Sequence, residues 1–196
     1  MFTVDSPPPL DEFTLIKFVN ESNAIENIWD PPYGMGTAEF DDHLDAARRV
    51  AAGALTDFFE IHYVLTHRLL GPAESGVARQ VNVQVGGHLP PAAGPHLRAH
   101  LRRLTVMLVA GPLPDESSLD FAWRMHDEFE SVHPFVDGNG RTGRLLLNTL
   151  RLRAGLPWVT VLESRKDDYY RTIRAYQEHG FRCQPQGNDY RLCETL

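Results

Sequence analysis

The sequence predicts one almost entirely α-helical domain with a single short β element. Apolar residues recur at helical spacing along most of the chain, as Leu97, Leu101, Leu104 and Leu108 do on one face of a candidate helix. Glycine and proline interrupt this pattern where helices should end, and one segment alternates apolar and polar residues as a strand does. A chain of 196 residues is long enough for one compact domain with a sizeable core and short for two.

The first three helices are predicted to cover residues 13–29, 38–52 and 56–70. The Asp30-Pro31-Pro32 run should end the first, because proline disfavours a helical conformation in the residue before it. Thr56 and Asp57 suit the N-terminus of the third helix, since their side-chain oxygens can accept from free backbone N–H groups.

Four further helices are predicted to cover residues 96–110, 117–132, 140–154 and 164–180. Ser117 and Asp120 have the spacing of a capping box. Gly155 and Pro157 should close the third of these helices. Ser164 is the predicted N-cap of the last.

The β element is predicted between residues 79 and 94. Val81, Val83 and Val85 alternate with polar residues, and Gly86-Gly87 follows as a turn signal. We expect a short exposed hairpin or flap. His88 in this segment is interpreted as a loop residue, because no partner residues stand at metal-ligand spacing around it.

Composition and local sequence patterns predict the domain organisation, the cellular compartment and the kinds of ligand. Residues 1–12 are predicted to form a flexible tail and 13–196 a single domain. The N-terminus lacks the pattern of a signal peptide and no stretch approaches the ~20 apolar residues of a membrane span, so we expect a cytoplasmic protein without membrane contact. The net charge of −7 argues against nucleic acid as a ligand. Cys183 and Cys193 match no metal-binding spacing and are expected to be reduced thiols.

The stretch HPFVDGNGRTGR, residues 133–144, concentrates groups that suit a polyphosphate. Gly138, Asn139 and Gly140 permit positive φ, so successive backbone N–H groups can converge at the start of the following helix. Arg141 and Arg144 lie three residues apart, on neighbouring positions of its first turn. Each feature alone is more often an ordinary turn or a solvated helix face, and their contiguity is what predicts an anion site.

Two further side chains in this stretch can take part in chemistry. Asp137 offers a hard oxygen ligand that suits Mg²⁺ beside phosphates. His133 stands at the edge of the stretch and titrates near neutral pH, so it can accept a proton from a nucleophile.

This stretch resembles the signature of the Fic family, His-x-Phe-x-Asp/Glu-Gly-Asn-Gly-Arg-x-x-Arg, at all its defining positions. The resemblance extends to VGGHLPP in the flap, to SNAIEN near the N-terminus and to DDYYRTIRAYQ downstream, and it covers most of residues 13–180. It implies the α-helical Fic fold. It also implies an enzyme that transfers AMP from ATP to a Ser, Thr or Tyr hydroxyl of an unidentified protein, using Mg²⁺ or Mn²⁺.

The resemblance implies roles for the signature residues. His133 would be the general base and Asp137 would hold the metal. Asn139 with the backbone of Gly138 and Gly140 would bind the α-phosphate, while Phe135 would anchor the loop in the core. The arginines expected to bind the β- and γ-phosphates are Arg141 and Arg144.

Weaker assignments follow outside the signature. Alignment of the downstream helix suggests Tyr170 at the adenine and Gln177 as a polar contact to the nucleotide. The flap resembles the segment that docks the target chain as an added strand, and its candidate residues are Val83, Val85 and Gly86.

SNAIEN, residues 22–27, resembles the inhibitory motif of the family, Ser/Thr-x-x-x-Glu-Gly/Asn. Ser22 and Glu26 share one helix face, on an inhibitory helix at about 20–28. The resemblance implies that Glu26 pairs with Arg144 and displaces the γ-phosphate, so that the enzyme inhibits itself. It also suggests that Glu26 could help to remove AMP again.

Two alternatives stay open from the sequence. The same cradle could serve another transfer, such as phosphorylation or phosphocholine transfer, although the intact Gly138-Asn139-Gly140 favours AMP. The chain could instead be a silent nucleotide-binding interaction protein. The sequence identifies neither the target nor a homo-oligomer.

Overall fold

The computed structural model describes residues 10–29, 36–179 and 193–195. Its α-helices in these residues are α1 Glu12–Ile25, α2 Ala38–Ala51, α3 Phe58–Thr66, α4 Pro95–Ala110, α5 Ser118–Val132, α6 Asn139–Arg153 and α7 Lys166–His179. A short 3₁₀ helix, Glu163–Arg165, leads into α7. The predicted all-α class is confirmed. None of the described helices combines the length and the apolar content that crossing a membrane requires.

Side-chain caps explain where several helices begin. Asp11 accepts from the Thr14 N–H at 2.7 Å, and Asp57 accepts from the Phe59 N–H at 2.8 Å. Ser117 Oγ accepts from the Asp120 N–H at 3.1 Å, as its spacing predicted. The prediction for Ser164 was wrong, because this residue lies inside the 3₁₀ helix and α7 begins at Lys166.

The first helix is shorter than its apolar pattern suggested. It ends at Ile25, and Asn27 adopts a left-handed conformation with φ of 59°. The Ile28 N–H then donates back to the Asn23 carbonyl at 3.0 Å, which closes the helix end. The predicted stop at residues 30–32 lies outside the described residues, as does the predicted tail up to residue 9. Since α1 starts at Glu12, the domain begins slightly before residue 13.

Helix α6 contributes to both hydrophobic cores of the described chain. Leu145 packs in a cluster with Phe18 and Trp158, while Leu146 and Leu147 pack in a second cluster around α5. Nearly all residues of α6 from Asn139 to Arg151 are buried. The N-terminus of α6 is therefore held between α1, α2, α3 and α5, and this packing positions the site.

The predicted β element is reduced to a single turn. The segment 81–94, which we call the flap, contains one isolated bridge between Val85 and His88, with backbone bonds of 3.0 and 2.8 Å. Gly86 and Gly87 make the turn with φ of 53° and 92°. The valine alternation forms no regular strand because no neighbouring strand pairs with it in the described residues, and Val81 is exposed.

A pair of strands that the sequence did not predict lies elsewhere. Strand β1, Val159–Val161, pairs antiparallel with β2, Cys193–Thr195. Strands of three residues carry too little periodicity to be recognised without their partner. Cys183 and the predicted end of α7 at Gly180 lie outside the described residues.

Candidate functional site

The loop of residues 133–138 joins α5 to α6 and reverses the chain with two left-handed residues. His133 is one of them, with φ of 48°, and its N–H donates to the Phe129 carbonyl at 2.9 Å. Gly138 is the other, with φ of 73°. A Cβ at Gly138 would also meet Thr66 Cγ2 at 3.1 Å, so this position requires glycine for both conformation and space.

Phe135 and Asn139 hold the loop closed. The Phe135 ring is fully buried, as predicted, and stacks on His62 with ring centroids 3.7 Å apart. The Asn139 side chain accepts from the Phe135 N–H at 2.9 Å and donates to the Phe135 carbonyl at 3.0 Å. Because its amide is engaged on both sides, Asn139 shapes the loop in this structure. The N–H groups in the first turn of α6 lack intrahelical partners, as at any helix N-terminus, and can donate to an anion.

His62 on α3 ties the loop to the rest of the chain. Its Nδ1 accepts from the Gly76 N–H at 2.8 Å, so Nε2 carries the proton and donates to the Asp137 carbonyl at 2.9 Å. Burial lowers the pKa of His62 to about 4, which keeps this ring neutral. Neither partner of His62 lies near it in sequence, and sequence analysis did not identify it.

The predicted general base is half-buried and uncharged at neutral pH. Burial lowers the pKa of His133 to about 4, against an opposing hydrogen-bond contribution from the Glu130 backbone. A neutral imidazole can accept a proton from a hydroxyl group placed against it.

Asp137 turns its carboxylate outward. Its side chain is 69% exposed, Oδ1 accepts from the Gly138 N–H at 2.7 Å, and Oδ2 lies 3.7 Å from Arg141 Nη2. Within the described ranges, no group of three or more His, Cys, Asp or Glu side chains is arranged to hold a metal ion. A single exposed carboxylate fits a Mg²⁺ ion that takes most of its other ligands from nucleotide phosphates and water.

The two signature arginines are buried, and each is paired with an acid from another helix. Arg141 is 2% exposed, and its Nη1 donates to Glu39 Oε1 of α2 at 2.5 Å. Arg144 is 1% exposed, and its Nη2 donates to Glu26 Oε1 at 2.7 Å. The structure therefore contains the predicted Glu26–Arg144 pair, while the acidic partner of Arg141 was not predicted.

The end of α1 makes a three-part contact with Arg144. Besides the bond to Glu26, Arg144 donates from Nε to Ser22 Oγ at 2.8 Å and from Nη2 to the Ser22 carbonyl at 2.9 Å. Burial alone would lower the pKa of Arg144, but the charge of Glu26 raises it above its ordinary value. The guanidinium is therefore charged, and its Nε and Nη2 are bonded to the predicted inhibitory motif while Nη1 is buried without a hydrogen-bond partner among the described residues.

Small residues in α6 let two carboxyl groups approach its backbone. A Cβ at Gly140 would stand 2.1 Å from Glu26 Oε1, and a Cβ at Gly143 would stand 2.1 Å from Glu130 Oε1. Glu26 thus covers the first turn of α6, where an anion would bind. Glu130 lies deeper, and burial raises its pKa to about 8 despite the nearby charge of Arg144.

The two tyrosines of α7 have different surroundings. Tyr169 is fully buried, and its ring lies 5.8 Å from the guanidinium carbon of Arg144. Tyr170 is half-buried, its ring packs against Tyr169 with centroids 5.4 Å apart, and burial followed by the charge of Glu26 raises its pKa to about 12. Gln177 is half-buried further along α7, and within the described chain no hydrogen bond joins it to the 133–138 loop.

The flap residues predicted to dock a target lie on the surface. Val85 and Gly86 are exposed and Val83 is half-buried. His88, interpreted from the sequence as an ordinary loop residue, bonds through Nε2 to the Ser131 carbonyl at 2.9 Å. The flap is thereby attached at the end of α5, two residues before the predicted base.

Comparison with known proteins identifies the family. Residues 54–150 match the model of the Fic/DOC family. The protein adenylyltransferases Fic of Drosophila grimshawi and Drosophila melanogaster are each 37% identical to this chain over 131 residues, which are 65% of this chain and 26% of either relative. The chain spans about a quarter of the length of these curated relatives.

Solved structures share the fold. A Fic-domain signaling protein from Bacteroides thetaiotaomicron superposes with a TM-score of 0.67 at 20% identity, covering 83% of this chain and 72% of that one. A Fic family protein from Desulfovibrio desulfuricans superposes with a TM-score of 0.67 at 24% identity, covering 86% and 58%. These superpositions show the fold, and the family-model match over residues 54–150 together with the signature loop identifies the chain as a Fic-domain protein of the Fic/DOC family.

Proposed function

We propose that this chain is a protein adenylyltransferase that transfers AMP from ATP to a hydroxyl group of another protein. The observation that carries the proposal is the 133–144 segment, where a neutral His133 stands beside a helix N-terminus with two buried guanidinium groups. This arrangement suits a polyphosphate next to a proton acceptor. The names of the curated relatives are consistent with it.

The chemistry balances without a further reactant. The oxygen of the target hydroxyl forms a bond to the α-phosphorus of ATP, and the bond from that phosphorus to the bridging oxygen of pyrophosphate breaks. Pyrophosphate leaves with the bonding pair, and His133 takes the hydroxyl proton. The N–H groups at the start of α6 stabilise the charge that develops on the α-phosphate.

Asp137 is the residue proposed to hold Mg²⁺ or Mn²⁺. Its carboxylate is exposed and faces the same side as Arg141. When bound, the ion neutralises phosphate charge and orients the leaving group. The described residues suit a metal that arrives with the nucleotide.

We propose further that Glu26 inhibits the enzyme. Glu26 and the γ-phosphate of ATP would compete for Arg144, because both are anions that need the same guanidinium. Glu26 also occupies space directly over Gly140, so the nucleotide can extend along α6 only when this carboxylate moves away. Ser22 strengthens the contact by bonding the same guanidinium.

The proposed target is a protein segment that docks along the flap. The Val85 N–H and carbonyl are already bonded to His88, so an extended chain would pair with the exposed backbone beside them, as chains do with unpaired strand edges. Such a segment would present its hydroxyl next to His133.

Intact-mass spectrometry of the Glu26→Gly protein with ATP and Mg²⁺, alone and with a cell lysate, tests the proposal. A gain of one AMP unit on this chain or on lysate proteins supports adenylylation. A gain of one phosphate unit would assign phosphoryl transfer, and a phosphocholine unit from its own donor would assign that reaction. No gain on any protein would favour a silent nucleotide-binding protein.

A further inference from the structure

Arg79 is a buried arginine that the proposed reaction does not use. It precedes the flap in the chain and is only 2% exposed. In the described residues it forms no ion pair with an acid, whereas the buried Arg141 and Arg144 each have one. A buried guanidinium without a carboxylate must satisfy its donors in another way.

The partners of Arg79 are backbone carbonyls from three places. Its Nη1 donates to Val81 at 2.8 Å and its Nη2 to Pro91 at 2.7 Å, and these two residues lie at or near the two ends of the flap. Its Nε donates to the His133 carbonyl at 2.8 Å. The Arg79 backbone N–H also donates to the Pro134 carbonyl at 2.8 Å.

The position of these carbonyls explains why a cation is tolerated there. The His133 carbonyl lies at the C-terminal end of α5, where the helix dipole is negative and carbonyl groups lack intrahelical partners. A planar guanidinium can reach several such acceptors in different directions, while the single ammonium of lysine cannot.

We propose that Arg79 is a positioning residue that couples the flap to His133. One rigid side chain joins both ends of the flap to the backbone of the proposed base, so that a segment docked on the flap is held in register with the imidazole. This inference rests on the proposed function for its meaning in catalysis. The mechanical link itself does not depend on which group is transferred.

A lysine substitution separates positioning from charge. In the active Glu26→Gly background, Arg79→Lys keeps the cation but loses the bonds that span the flap. We expect AMP transfer to lysate proteins to fall by about 10²-fold, because a displacement of about 1 Å near the reacting atoms has effects of this size. Affinity for ATP, measured by calorimetry, should stay within about twofold, since Arg79 lies outside the nucleotide cradle.

Hydrogen exchange followed by mass spectrometry provides a readout that does not need activity. In Arg79→Lys, amides of residues 81–94 and of residues 133–135 should exchange faster together. The matched control is Arg124→Lys, which disrupts the pairing of Arg124 with Glu116 away from the flap and should leave both segments unchanged. His88→Ala releases only the flap tip from Ser131 and should accelerate exchange in the flap alone.

Two results would overturn the proposal. One is transfer at the parent rate by Arg79→Lys, and the other is faster exchange in the flap with residues 133–135 unchanged. If the lysine variant does not fold, Arg79→Gln, which retains one donor group, takes its place with the same readouts. If the Glu26→Gly parent transfers no AMP, the proposed function fails, while the exchange experiment still decides the role of Arg79.

Discussion

The two sides of the functional site are held by different kinds of contact. On the α6 side, Arg144 and Arg141 bind carboxylates of Glu26 and Glu39. On the flap side, Arg79 binds only carbonyls, and His88 binds another. An incoming phosphate can replace a carboxylate as the partner of an arginine, but it cannot replace a carbonyl that belongs to the backbone. We therefore propose that the α6 side exchanges partners when a phosphate binds and that the flap side keeps its partners.

The largest expected effect lies between the two sides. Replacing His133 with Ala should lower AMP transfer by the Glu26→Gly protein about 10²- to 10⁴-fold, the usual contribution of a general base. ATP binding should persist, because the imidazole does not belong to the cradle. Radiolabelled AMP incorporation and calorimetry measure the two effects. Transfer at the parent rate would mean that another group takes the proton.

Asp137→Ala tests whether AMP transfer on the α6 side depends on a metal ion held by Asp137. We expect transfer to fall at least about 10²-fold, since metal stabilisation of phosphate charge is worth several kcal/mol. ATP affinity should also lose its dependence on Mg²⁺, which titration with and without EDTA measures. Asp120→Ala, a matched change at the distant N-terminus of α5, should leave this dependence intact. Full activity in EDTA would contradict the assignment.

Glu26→Gly tests the exchange of partners directly. We expect AMP transfer to rise about 10- to 10²-fold, because a hydrogen bond between charged groups contributes about 1.5–3 kcal/mol. Adding Arg144→Ala should abolish the gain, since the γ-phosphate then has no anchor. The matched control is Glu12→Gly at the opposite end of α1, which breaks an exposed pair with Arg48 and should not activate. Unchanged transfer in Glu26→Gly would refute inhibition by this contact.

The smallest expected effect concerns Glu130, which lies beneath the α6 side. Burial raises its pKa from 4.5 to about 8, so the folded state binds its proton more tightly than the unfolded state does. This stabilisation is complete below about pH 4.5 and is lost as pH rises through about 8. Glu130→Gln should therefore flatten the fall in melting temperature across this range.

Glu116 provides the opposite case for that measurement. The Arg124 hydrogen bond lowers the pKa of Glu116, so its stabilisation is present above its ordinary pKa and is lost in acid. Glu116→Gln should leave the slope between about pH 5 and 8 unchanged. An unaltered slope in Glu130→Gln would show that this carboxyl does not titrate there.

The sequence alone determined the helical class, the 133–144 segment of the site and the Glu26–Arg144 pair. These features are recognisable because each depends on a short run of residues: helical periodicity, Gly138 with its positive φ, and a motif of six residues around Glu26. The Glu26–Arg144 pair could be predicted only because the motif around Glu26 and the signature that contains Arg144 belong to the same family pattern. Helix ends such as Ile25 were harder to predict, since a single left-handed residue, Asn27, ended the helix several positions early.

Only the tertiary structure decided which groups support the loop. The flap forms a turn and not the predicted hairpin, because the alternating valines have no neighbouring strand to pair with in the described chain. Arg79, His62 and Glu39 carry no local signal for the loop, because each bonds a residue that is far away in the sequence. The partners His133, Asp137 and Arg141 lie 54, 75 and 102 residues away. Arg79 and His62 donate to backbone carbonyls. Any residue type carries such a carbonyl, so no sequence pattern indicates these bonds. Packing of α6 between its neighbours brings these distant groups to one loop.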